Sequence, residues 1–104
     1  MKRIIDGLVY DTDKAELLAE YYYSHKGDFN YIKEKLYKTS NGRYFLYGEG
    51  GPKTEYFENV GNSSYSGGNT IIPLTKEGVL DWVERREIDD KKILKELSEV
   101  LDEA

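Results

Sequence analysis

Leu36-Tyr37-Lys38-Thr39-Ser40-Asn41-Gly42-Arg43-Tyr44-Phe45-Leu46-Tyr47 runs directly into Gly48-Glu49-Gly50-Gly51-Pro52, and this stretch decides the fold. From Tyr31 to Thr39 charged residues alternate with apolar or aromatic ones. Ser40-Asn41-Gly42 then supplies a turn, and Arg43 to Gly48 resumes a strand rich in aromatics. A period of two on both sides of a glycine-containing polar turn predicts an antiparallel hairpin. Alternation puts Tyr44 and Leu46 on one face of the second strand and Arg43, Phe45 and Tyr47 on the other. In the first strand, Lys33 and Lys35 share a face with Tyr31 and Tyr37, while Glu34, Leu36 and Lys38 share the opposite one. Aromatic mass on both faces implies that one packs the core and the other is at least partly covered.

Toward the N-terminus, Arg3-Ile4-Ile5 and Leu8-Val9-Tyr10 are β-prone runs joined by Asp6-Gly7, a dipeptide that accepts the positive φ angles of a tight primed turn. Asp11-Thr12-Asp13 offers helix caps, and the spacing of Ala15, Leu17, Leu18 and Tyr21 or Tyr22 predicts a helix from about Asp13 to Tyr23. Ser24 to Asp28 reads as a loop. On the C-terminal side, Gly50 to Asn69 is irregular, including Asn62-Ser63-Ser64-Tyr65-Ser66-Gly67-Gly68, with a short helix expected at about Glu55 to Val60. Thr70-Ile71-Ile72-Pro73-Leu74 is a last strand, placed at an edge or strand end by Pro73, which cannot donate a ladder hydrogen bond. Thr75 caps a helix through Arg86, with Val79, Leu80, Trp82 and Val83 as its apolar positions. Asp89 or Asp90 caps a final helix of about residues 89–103, striped by Ile93, Leu94, Leu97, Val100 and Leu101. Strands that come as hairpins, without alternating crossover helices, give an α+β class. The expectation is one domain over residues 1–104: a small, mainly antiparallel sheet built from two hairpins plus one further strand, covered by about three helices.

A chain of 104 residues can hold one modest core. With no cysteine it has neither disulfides nor thiolate metal sites. No apolar run approaches the roughly 20 residues of a membrane span, and Met1-Lys2-Arg3-Ile4-Ile5 is too short for a secretory signal, so a soluble cytoplasmic protein is expected. The net charge of −5 is uneven: residues 1–54 carry nine Lys/Arg against eight Asp/Glu, and residues 55–104 carry six against twelve. Nonspecific binding to a nucleic-acid backbone is disfavoured for the whole molecule, and an acidic C-terminal face could instead meet a basic protein groove. Those charges equally suit the solvated side of amphipathic helices.

Nine of the ten tyrosines lie between Tyr21 and Tyr65. Tyrosine suits a surface that grips a partner, and equally the half-wet face of a small sheet. Tyr37, Arg43, Tyr44 and Tyr47, together with Glu49 among its glycines, are the candidate partner contacts there. Lys33, Lys35, Lys38 and Arg43, interleaved with tyrosines, leave an RNA contact open by stacking and phosphate pairing, against a half-buried hairpin with solvated lysines. Glu49, flanked by Gly48, Gly50 and Gly51, could bind a cation, act on a substrate, or tie the turn to neighbouring amides. Its spacing matches neither the phosphate-binding loop nor the dinucleotide fingerprint. His25 stands without a cysteine or second histidine, so no zinc site is assigned. As a general base it would need Asp28 or Glu20 to orient it. No catalytic residue, metal or cofactor is assigned. The last helix could pack on the sheet, pair with a second copy as a homodimer, or protrude.

Ile4-Ile5-Asp6-Gly7 with Tyr10-Asp11-Thr12, the Leu36-Tyr37 and Gly42 to Pro52 stretches, Gly67 to Thr75, and Trp82 together resemble a family of small proteins from Gram-positive bacteria. That family is carried on integrative and conjugative elements, plasmids and prophages. The likeness covers roughly residues 3–86 in order, leaving the last helix outside it. Some similar small proteins of streptococcal mobile elements are anti-CRISPR proteins directed at type II guide-RNA-dependent nucleases. The resemblance implies an inhibitory binding protein acting on such a nuclease or on its guide-RNA loading. The nuclease's positive nucleic-acid channels would suit an acidic face formed by Glu84, Glu87, Asp90, Glu96 and Glu99. The alternatives are a structural or regulatory interaction module of a mobile element, and a small nuclease using Glu49 and His25.

Overall fold

The computed structural model describes residues 1–61 and 64–104. The chain runs β1 (Lys2–Ile5), β2 (Leu8–Asp11), β3 (Glu16–Tyr23), β4 (Ile32–Lys38), β5 (Tyr44–Gly50), β6 (Glu58–Gly61), β7 (Ser64–Ser66), β8 (Gly68–Leu74), α1 (Lys76–Arg85) and α2 (Lys91–Glu96). Four strands form an antiparallel sheet in the order β3-β4-β5-β8. The central pair is the hairpin that the alternation predicts, with Leu36 opposite Leu46 and Tyr37 opposite Phe45. Gly42, at φ +83°, supplies the left-handed residue of its turn. β8 is an edge strand, which accommodates Pro73.

The first hairpin also forms as expected, turning at Asp6 (φ 51°) and Gly7 (φ 76°), but it does not join the main sheet. β1 and β2 form their own two-stranded ribbon. Through Tyr10, Ile5 and Leu8, the ribbon lies across the sheet face that carries Tyr37, Phe45 and Ile71. Tyr37 stacks on Phe45 at 5.1 Å and Tyr10 meets the same ring edge-on at 5.4 Å. The other face packs Leu18, Leu36, Tyr44 and Leu46 against Val79, Trp82 and Val83 of α1 and against Ile93 and Leu97. Side chains such as Leu36, Phe45 and Trp82 are at or near complete burial, each contributing roughly 1.5–3 kcal/mol or more from desolvated apolar area.

The segment expected as a helix from Asp13 to Tyr23 is instead the edge strand β3. The would-be caps are consumed by a turn: the Asp11 carboxylate accepts the Asp13 N–H at 2.9 Å, and the Asp11 carbonyl accepts the N–H of Lys14 and Ala15. The following residues then satisfy their backbone against β4. A bulge between Leu17 and Ala19 buries both Leu18 and Ala19 on the helix side, which explains why the apolar spacing imitates a helix. Three further expectations are corrected. Glu55 to Val60 is not a helix: a turn around Pro52–Tyr56 leads into β6, which pairs with β7. Within the irregular stretch, Asn62 and Ser63 lie outside the described residues. The last helix, expected over about 89–103, is short: α2 ends at Glu96 and turns carry the chain to Val100. The described chain thus has two helices rather than three, both on one side of the sheet. α1 is capped as expected, Thr75 Oγ1 accepting the Gly78 N–H at 3.1 Å, and Glu87 at φ 54° turns the chain after its end.

Candidate functional site

Three carboxylates, each held by at least one tyrosine hydroxyl, organise the polar chemistry of the molecule. Glu34 points from β4 into the helix side, as its alternation with Leu36 requires, and is 1% exposed. Its Oε1 accepts the indole N–H of Trp82 at 2.9 Å and the Nε–H of Arg86 at 2.8 Å, and Tyr56 donates its hydroxyl to Oε2. Trp82 and Arg86 stand four residues apart on or just past α1, so one helix face presents both donors. Arg86 continues to Glu55 at 3.1 Å and lies 4.5 Å from the centroid of the Tyr21 ring. Burial alone would raise the Glu34 pKa, but the bonds from Arg86, Tyr56 and Trp82 prevail and it falls below its ordinary value. Tyr56 reaches Glu34 only because β5 has Gly48 there; a Cβ at that position would fall inside the Tyr56 ring.

Glu49 points to the opposite sheet face. Tyr31 donates to its Oε2 at 2.6 Å, and Tyr47, two residues back on the same strand, donates to Oε1 at 2.7 Å. The Tyr31 hydrogen bond is the strongest influence lowering its pKa, with Tyr47, Lys33 and Lys26 acting in the same direction against partial burial. In return, desolvation and the carboxylate push Tyr31 up to about 12 and raise Tyr47 as well. Glu49 also borders a cleft of about 390 Å³ formed with the β3–β4 loop and the start of β8.

Glu96, from α2, accepts Lys38 Nζ at 2.7 Å and the Tyr44 hydroxyl at 2.5 Å. These contacts lower its pKa, Lys38 first, and desolvation together with Glu96 pushes Tyr44 up to about 12.

These contacts redistribute the candidate partner residues. Tyr37 and Tyr44 are each 8% exposed and belong to the two cores, and the Tyr47 hydroxyl is spent on Glu49. Arg43 is exposed at the hairpin turn. Glu96 is tied to Lys38 and Tyr44, whereas Glu84, Glu87, Asp90 and Glu99 are exposed. Asp90 also caps α2 through the Lys92 N–H, and Glu99 lies 3.6 Å from Lys76 Nζ. His25 is exposed in the β3–β4 loop, where its backbone carbonyl accepts the Asp28 N–H. The aromatics that do face solvent are Tyr22, Tyr23, Phe29, Phe57 and Tyr65, with Phe57 and Tyr65 meeting edge-on at 5.4 Å.

The Glu34 network is the feature that the sequence reading missed. Its signals were a lone acid alternating with Leu36 on the buried face and a Trp-x-x-x-Arg spacing on the helix above it. Among the described residues no group of three or more His, Asp or Glu side chains could hold a metal ion, and no helix is long and apolar enough to cross a membrane. Compared with protein-family models, with curated proteins and with solved structures, the chain matches none.

Proposed function

We propose that this protein is an inhibitory binding protein of mobile-element origin, of the anti-CRISPR kind its sequence resembles, acting on a type II guide-RNA-dependent nuclease. The observation that carries the reading is the acidic junction between α1 and α2. Glu84, Glu87, Asp89 and Asp90 are all exposed there. Two neighbouring cations are drawn elsewhere: Arg85 lies 3.6 Å from Asp81, and Lys92 reaches Glu16 at 3.1 Å and the Leu17 carbonyl at 2.8 Å. Arg86 is turned inward to Glu34, while Lys91 stays exposed beside these carboxylates. Exposed carboxylates at the end of α1 and along the link to α2 complement a groove built to hold nucleic-acid phosphates and accelerate encounter with it. The Glu34 carboxylate favours binding over turnover, because it is buried and both its oxygens already serve internal donors.

The test is DNA cleavage by a streptococcal type II nuclease, with the protein added before or after guide RNA and guide integrity followed on the same gel. Inhibition with intact guide is expected. Glu84→Lys with Glu87→Lys and Asp90→Asn, the last retaining a capping side chain, should weaken inhibition at least about tenfold if each lost contact is worth even ~0.5–1 kcal/mol. Undiminished inhibition by that variant would remove the acidic junction from the mechanism. A shortened guide would replace inhibition by binding with a nuclease activity.

A further inference from the structure

The cleft beside Glu49 has a chemistry that the acidic junction does not explain. At about 390 Å³ it lies near the lower end of small-ligand sites and suits a single flat group. Each Glu49 oxygen takes one tyrosine hydroxyl, so an acceptor position on each remains for a planar ligand with two parallel donors. A guanidinium and the N1–H/N2–H edge of guanine are the two common groups of that form. The surroundings discriminate between them. Lys26 lines the cleft, Lys33 pairs with Glu49 in the β4–β5 register, and both act on the carboxylate. They repel a guanidinium and attract a phosphate.

Phe29, 60% exposed, offers a ring for stacking at the same cleft, with Lys53 Nζ 5.9 Å from its centroid. Asp28 also borders the cleft, but its carboxylate is engaged by the Ser24 hydroxyl and the Asn30 N–H, both at 2.7 Å. Gly67 and Gly68 leave one wall as bare backbone. A Cβ would press on the Gly50 carbonyl at Gly67, and on Glu58 and the Tyr56 carbonyl at Gly68.

We propose that this cleft binds an unpaired guanine nucleotide, with Glu49 accepting from N1–H and N2–H, Phe29 stacking on the base and Lys26 meeting the phosphate. Tyr31 and Tyr47 are positioning residues that fix the carboxylate for this pairing. A free nucleotide and an unpaired guanine in single-stranded RNA present the same chemistry. The proposal goes beyond the nuclease reading and does not depend on it.

The full chain would be titrated with GMP, AMP and guanosine by calorimetry or NMR, and with the oligoribonucleotides UUGUUU and UUAUUU. A bidentate contact predicts GMP binding about tenfold tighter than AMP, and loss of the phosphate should weaken guanosine relative to GMP. UUGUUU binding well above GMP identifies RNA as the source; equal affinities identify the free nucleotide. Glu49→Gln, whose amide pairs with the N6/N7 edge of adenine, should abolish or reverse the preference, while Phe29→Ala should weaken every base alike. Unchanged Trp82 fluorescence serves as the folding control for both variants. Equal affinity for GMP and AMP, guanine preference that survives Glu49→Gln, or no binding of GMP at millimolar concentration would each overturn the proposal. None of these outcomes alters the cleavage assay at the acidic junction, so the two proposals fail separately.

Discussion

Replacing Glu34 by glutamine tests the buried network with almost no change of shape. In the native protein Oε1 accepts from Trp82 and Arg86 and Oε2 accepts from Tyr56. A glutamine keeping its oxygen at Oε1 retains the first two bonds. Its amide nitrogen can donate to the Tyr56 oxygen once that hydroxyl rotates. Each of the three contacts is therefore kept, the one to Tyr56 with its direction reversed, and the main loss is the charge. The Arg86 guanidinium, 14% exposed, then faces a neutral amide and relies on Glu55, itself 54% exposed. Charge-assisted bonds are about twice as strong as neutral ones, so weakening two of them should cost about 2 kcal/mol. Glu34→Leu strands all three donors and should cost about 3–5 kcal/mol. For a domain of this size that is a large part of a total near ~5–15 kcal/mol.

Urea unfolding followed by the fluorescence of Trp82, the only tryptophan, reads both variants at the network itself. Glu34→Leu combined with Arg86→Met removes both charges and should recover most of the loss, because the penalty comes from orphaning a buried charge rather than from the pair's net value. A Glu34→Gln cost below about 0.5 kcal/mol, or a double variant no better than Glu34→Leu alone, would refute this account.

Gly48→Ala should destabilise by about 1–3 kcal/mol by forcing the Tyr56 ring away from Glu34, a loss visible as a lower urea midpoint with unchanged slope. Tyr44→Phe leaves Glu96 with Lys38 alone and should cost about 1 kcal/mol, measured the same way. Glu34, Glu49 and Glu96 all have pKa values lowered from 4.5, so their stabilisation is complete above that value and is lost as pH falls through their folded pKa values. Urea midpoints should therefore drop below pH 4.5, and Glu34→Gln should flatten the dependence. At the alkaline end, Tyr31 and Tyr44 are raised from 10 to about 12, so their contribution is complete below pH 10 and disappears as pH rises through about 12. Phenolate absorbance and unfolding midpoints should move together across that interval.

Local chemistry made part of the fold legible. Asp6-Gly7 and Asn41-Gly42 specify their turns from adjacent residues, the alternation of Glu34, Tyr37, Phe45 and Leu46 assigns faces without knowledge of what covers them, and Thr75 caps α1 through an N–H three residues away. Glu49 was legible as a special acid because glycines surround it. The identity of Glu16 to Tyr23 was not, since its apolar spacing with a bulge fits a helix as well as a strand, and only the open edge of β4 selects the strand. The tyrosines were equally undecidable: Tyr31, Tyr56 and Tyr44 find their carboxylates 18, 22 and 52 residues away. Sequence therefore determined the hairpin turns, the Thr75 cap and the alternation, which depend on contacts within a few residues. Tertiary structure decided which hydroxyls are spent on buried acids and which aromatics face solvent, because those outcomes depend on partners brought together only when the sheet and helices pack.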